Sequence, residues 1–132
     1  MTGSRTPGVP HREGAASRYR RGDVVLVPFP FSDRLAEKQR PAVVVSIEAY
    51  QAAGGDLIIA QLTSRTDAPP RPGDHRLSSW REAGLPLPSL ARARLATLHG
   101  GRIRRRLGAL APADLAAVEQ ALRAVLGLDG TH

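Results

Sequence analysis

Two short stretches of this 132-residue chain carry side chains suited to phosphate chemistry. Gln39-Arg40-Pro41 leads into the β-branched run Val43-Val44-Val45, and Thr63-Ser64-Arg65 directly follows the run Leu57–Leu62. A guanidinium placed where a loop enters a strand can point out of the sheet. Its planar fork matches two phosphate oxygens and stays charged at any working pH. A hydroxyl at the end of a neighbouring strand can reach the same phosphate. The pair suits charge stabilisation and proton donation, whereas an arginine is too basic to be an efficient proton acceptor. Each residue also has a plainer reading. Arg40 reads as a solvated loop-end arginine, and Thr63 as a hydroxyl tying down its own turn. Ser64 offers a hydroxyl or amide to a phosphate or to a local turn, Arg65 a charge to a polyanion or to solvent, and Gln39 an amide to a base edge or to water.

Other groups point less clearly to chemistry. His75 and His99 have no metal-ligand spacing and no third ligand in view, so both read as surface residues. Arg102, Arg104, Arg105 and Arg106 can track a nucleic-acid backbone or form a solvated face. Trp80 reads as an anchor in the core or at an interface between copies. No Gly-rich loop followed by lysine and no HExxH motif occurs. Cysteine is absent, which excludes disulfides, thiolate metal sites and thiol catalysis.

The elements that must position these residues are short. Asp23–Phe31 reads as a strand, with Pro28 and Pro30 marking its exit. Ser32–Gln39 is a polar loop, Pro41–Ile47 a second strand, Glu48–Gly55 a connection, and Leu57–Leu62 a third strand. His75–Trp80 suits a short strand. Ser89–Leu98 suits a longer one, although its alanines would equally fit a helix. Pro112–Leu126 repeats its apolar residues at helical spacing, with Pro112 in the first turn, Asp114 at the positive end of the dipole and Gly127 at the exit. Strands followed by one helix imply a mainly β domain, a small barrel or curled sheet with a helix packed on it. Residues 1–18 read as a disordered basic arm and residues 19–128 as the domain.

A net charge of +7 with 4% aromatic residues favours a polyanionic partner, and argues against a stacking platform for single strands. Lys38 is the only lysine, so some arginines stand where lysine would serve. No apolar run approaches the roughly 18 residues needed to span a bilayer. No export signal is evident, and the reading is a cytoplasmic protein without a membrane segment.

The order and content of three segments resemble the MazF/PemK family of toxin endoribonucleases. These are Gly22–Asp33, Gln39–Ser46 and Ile59–Arg65. Trp80, Gly84-Leu85, Pro88-Ser89, Arg94–Leu98 and Leu107-Gly108 before the last helix are similar to one branch of it. The likeness covers about Tyr19 to Leu128. It implies an SH3-like barrel of the MazF/CcdB toxin type with a C-terminal helix. It also implies a homodimer that cleaves single-stranded RNA, including mRNA, through the ribose 2′-OH without metal or cofactor, and a cognate antitoxin with an acidic tail. The family's catalytic arginine and threonine fall on Arg40 and Thr63. Gln39, Ser64, Arg65 and Glu37 are the accompanying candidates for RNA contact, although Glu37 is not clearly at the family's usual distance ahead of the arginine. Two rival readings keep the fold: a gyrase-poisoning toxin, for which the end Leu128–His132 offers no Trp-type anchor, and a non-catalytic RNA-binding module.

Overall fold

The computed structural model describes residues 18–28 and 38–129. Nearly all of the expected N-terminal arm, most of the Ser32–Gln39 loop and Glu37 lie outside them. Six strands, β1 (Asp23–Pro28), β2 (Gln39–Val44), β3 (Asp56–Thr63), β4 (His75–Arg76), β5 (Leu90–His99) and β6 (Arg105–Ala109), form one sheet in the order β4-β5-β3-β2-β1-β6. Every neighbouring pair is antiparallel. Helix α1 (Glu48–Gly54) links β2 to β3, and α2 (Pro112–Val125) ends the domain.

Alternation along the strands sorts the apolar residues onto two faces. Val24, Val43, Ala60, Leu62 and Ala91 pack with Leu115, Val118 and Leu122 of α2. Val25, Val27, Ala42, Val44, Leu57 and Ile59 pack on the other face with Tyr19 and Ile103. Bulges at Val24/Val25 and Ala60/Gln61 break the register and curl the sheet into a half-barrel. The mainly β reading with a packed C-terminal helix therefore holds.

Three local expectations change. Glu48–Gly55 is not a bare connection: it forms the two-turn helix α1, closed by Gly55 at φ 85°, whose N–H donates to the Gln51 carbonyl at 2.7 Å. The strand expected over His75–Trp80 is only two residues long, because Asp114 takes the amides of Ser78 and Ser79 that would have extended it. The alanine-rich Leu90–His99 is a strand, since it completes an eight-pair ladder with β3 that a helix could not make.

Candidate active site

Pro41 excludes the helical region for the residue before it, so Arg40 is held extended at the start of β2. Arg40 pairs with Val27 of β1. On the other side, β2 pairs with β3 through Val44–Ile59, Val43–Ala60 and Ala42–Gln61. The ladder ends at Ala42–Gln61; extrapolated by two residues along each strand, its register brings Arg40 level with Thr63. Alternation from Ala42 and Val44 on β2, and from Leu57 and Ile59 on β3, puts both on the face away from α2. Both are half-buried at the end of the sheet.

Thr63 also makes the turn bond that its position suggested: its Oγ1 accepts the Arg65 N–H at 3.1 Å. That bond uses a lone pair and leaves the hydroxyl proton free to donate. Ser64 and Arg65 are exposed just beyond it. Gln39 is brought close in sequence but not in orientation. It pairs with Pro28, alternation sets it on the opposite face of β2 from Arg40, and its Oε1 is buried without a hydrogen-bond partner among the described residues.

Two side-chain links tie down the adjoining edge: Asp74 with Arg92, which the sequence does not single out, and Asp114 with His75, which it reads only as a dipole partner and a surface residue. Asp74 binds Arg92 through two bonds, Nε to Oδ1 at 3.1 Å and Nη2 to Oδ2 at 3.0 Å. The Arg92 guanidinium holds the Asp74 carboxyl below the usual carboxylate range, against the upward push of burial. Asp114, expected only to suit a helix dipole, turns inward and is 2% exposed. It accepts the Ser78 and Ser79 N–H groups at 2.9 Å each and bonds His75 Nε2 at 2.9 Å. Burial pushes its carboxyl up, but these bonds more than offset that and hold it below the ordinary value. His75 is thus not the plain surface residue it resembled. Arg76, between the two anchors, reaches the other way and donates from Nη2 to the Thr66 carbonyl at 2.6 Å.

Positive charge continues along the opposite edge. Arg102, Arg104 and Arg105 are exposed without a carboxylate partner among the described residues, whereas Arg106 bonds Asp23 at 3.1 Å. Trp80 packs against the α2-side core, with the Arg81 guanidinium over its ring. Among the described residues, no three His, Asp or Glu side chains gather to hold a metal ion, and no helix is long and apolar enough to cross a membrane.

Residues 20–126 match the family of PemK-like, MazF-like toxins of type II toxin–antitoxin systems. The chain belongs to that family. A MazE–MazF complex from Deinococcus radiodurans is similar at 25% identity, with a TM-score of 0.66 over 84% of this chain and 97% of that one. A mycobacterial endoribonuclease bound to its cognate antitoxin is 23% identical, with a TM-score of 0.63 over 83% and 94%. The Mycobacterium tuberculosis toxin MazF-mt6 shares the fold at 17% identity and a TM-score of 0.65, over 81% and 98%. Gly84 and Gly108, which fall in the segments that resembled one branch of this family, meet in this toxin. A Cβ on Gly84 would lie 2.1 Å from the Leu107 carbonyl oxygen, and one on Gly108 would lie 2.5 Å from that of Ala83.

Proposed function

We propose that this toxin is an endoribonuclease that cuts single-stranded RNA, mRNA included, with Arg40 and Thr63 at the reacting phosphate. What supports the reading is the β2–β3 register, which, extended two residues beyond Ala42–Gln61, brings these residues to one level, and strand alternation, which puts them on one face. In the reaction, the ribose 2′-hydroxyl loses its proton to solvent as its oxygen attacks phosphorus, and the P–O5′ bond breaks as the 5′-oxygen takes up a proton from solvent. The products are a 2′,3′-cyclic phosphate and a free 5′-hydroxyl. Arg40 stabilises the negative charge that builds on the phosphorane oxygens, which is where a fixed guanidinium helps most. Thr63 keeps its hydroxyl proton and donates a hydrogen bond through it to the same phosphate.

Ser64 and Arg65, exposed next to Thr63, contact the RNA backbone. The working unit is a cytoplasmic homodimer. A cognate antitoxin inhibits it by laying an acidic tail over the basic face, for which a charge of +7 is complementary.

The test is incubation of the purified chain with long single-stranded RNA in EDTA, beside Arg40→Ala. Cleavage at defined sites, falling about 1,000-fold in the variant, is expected, in line with the loss of one preorganised charge donor. Equal cleavage by both proteins removes Arg40 from the site. Arrest of gyrase without RNA cleavage removes the ribonuclease reading.

A further inference from the structure

We propose that Arg76 fixes the turn that carries Thr63 and binds an RNA phosphate next to the scissile one. This rests on the reading of Arg40 and Thr63 as the cleaving pair and adds a third member to it.

The sheet places Arg76 beside that pair. Arg76 pairs with Leu90 on β5, and Leu90 pairs with Thr63 on β3. Residues directly opposite one another in antiparallel strands share a face, so Arg76 and Thr63 flank Leu90 on the same side. Two inter-strand steps separate their backbones by about 10 Å, a span an arginine side chain largely covers. It does so here: Nη2 donates to the Thr66 carbonyl, in the turn that begins with the Arg65 N–H bond to Thr63 Oγ1.

One arm of the guanidinium is therefore spent on the protein. Of its five N–H donors, the others have no partner among the described residues, and the residue is exposed. A fork held by a carbonyl on one side and open on the other is prepared to take an anion. Arg40 lies one strand from Thr63 in the other direction, so the two arginines flank Thr63 across the sheet. An RNA strand crossing the ends of β2, β3 and β5 meets Arg40, Thr63 and Arg76 in that order.

The build of β4 agrees with this task. The strand is two residues long, yet both its flanks are fastened to buried carboxylates: Asp74 to Arg92, and His75, Ser78 and Ser79 to Asp114. These bonds immobilise the backbone on either side of Arg76 while its own side chain turns to the opposite face. The ligand implied is a backbone phosphodiester, read without regard to base.

The test uses the full chain and an RNA that the wild type cuts. In the Arg40→Ala background, binding of that RNA is titrated across salt concentrations, with and without Arg76→Ala. Losing one phosphate contact lowers the slope of log K against log salt by about 0.7. In the otherwise wild-type chain, Arg76→Ala is expected to lower kcat at saturating RNA by about tenfold, because the Thr63 turn is no longer pinned. Arg76→Lys keeps a point charge but not the fork, so it restores the slope and leaves kcat low. Thermal melts run alongside separate these effects from loss of fold. An unchanged salt slope, or full kcat in Arg76→Ala, overturns the inference. If Arg40→Ala still cleaves, the reading of Arg40 falls, while the salt slope, which reports binding alone, still decides whether Arg76 touches RNA.

Discussion

His75 and Asp114 are 39 positions apart in the chain, yet imidazole Nε2 and carboxylate Oδ1 lie 2.9 Å from each other. The bond joins the sheet's edge strand to the first turn of α2. With the two serine amides on the same carboxylate, it decides where β4 stops and where Arg76 stands.

Stability should fall in acid because of this carboxylate and Asp74. Both are held below their ordinary values in the folded chain, Asp114 despite burial and Asp74 chiefly by Arg92. A depressed folded value means that the unfolded chain takes up protons first. The stabilisation is complete above a pH of about 4 and is lost as pH drops through the folded values. Asp114→Asn should cost about 2–3 kcal/mol at pH 7, because an amide cannot accept from both serine N–H groups and the histidine. Its stability should then vary less than that of the wild type between pH 5 and 3. Urea titrations at pH 7, 5 and 3 check this; parallel losses in both proteins would exclude Asp114 as the titrating group.

The contact between Gly84 and Gly108 makes a second, steric prediction. Gly84 has φ +85° and its missing Cβ would overlap a backbone carbonyl, which cannot swing aside as a side chain can. Gly84→Ala should cost more than about 3 kcal/mol, combining a left-handed backbone with overpacking. Gly54, at the end of α1, has nothing within 4 Å of its Cβ position and no positive φ, so Gly54→Ala should be neutral or slightly stabilising. Paired thermal melts of the two alanine variants give the comparison.

The parts of the fold that are legible in the sequence are those with one dominant local signal. The apolar, β-branched runs Val24–Val27 and Val43–Val45 read as strands, and α2 reads as a helix from its apolar spacing. Helix α1 is hidden because seven residues make only two turns and its one buried side chain is Gln51, so there is no apolar stripe. Arg40 and Thr63 are legible singly, at the ends of their strands. That they share a level depends on the β2–β3 register, which no local pattern states. The Asp74–Arg92 and His75–Asp114 links are less visible still, since each residue alone resembles an ordinary surface charge and only the fold brings the partners together.

The arginine edge should act through the salt dependence of RNA binding. Arg102, Arg104 and Arg105 are exposed, whereas Arg106 is bound to the buried Asp23. Replacing the first three by alanine should reduce the log–log salt slope by up to about 2, and leave kcat at saturating RNA near that of the wild type. Arg106→Ala should instead lower thermal stability, because it removes the guanidinium from the buried Asp23 and leaves that carboxylate only the Arg20 N–H among the described residues. Filter-binding titrations and melts distinguish the two; an unchanged slope in the triple variant would place the RNA elsewhere.

Thr63 has two separable tasks, and isosteric variants divide them. Its oxygen accepts the Arg65 N–H, and its proton is free for a phosphate oxygen. Thr63→Ser keeps both atoms and gives up only the methyl group, so activity should stay within about tenfold of the wild type. Thr63→Val keeps the shape and β-propensity but has no oxygen. It leaves an exposed amide that water can satisfy, so the cost in stability should be under about 1 kcal/mol. Its cleavage rate should nevertheless fall by about 100-fold or more, as expected for losing one hydrogen bond made to developing charge. Single-turnover cleavage of the same RNA by the three proteins, each confirmed folded by its melt, measures this directly. A valine variant as active as the serine variant would leave the hydroxyl with only its turn-forming role.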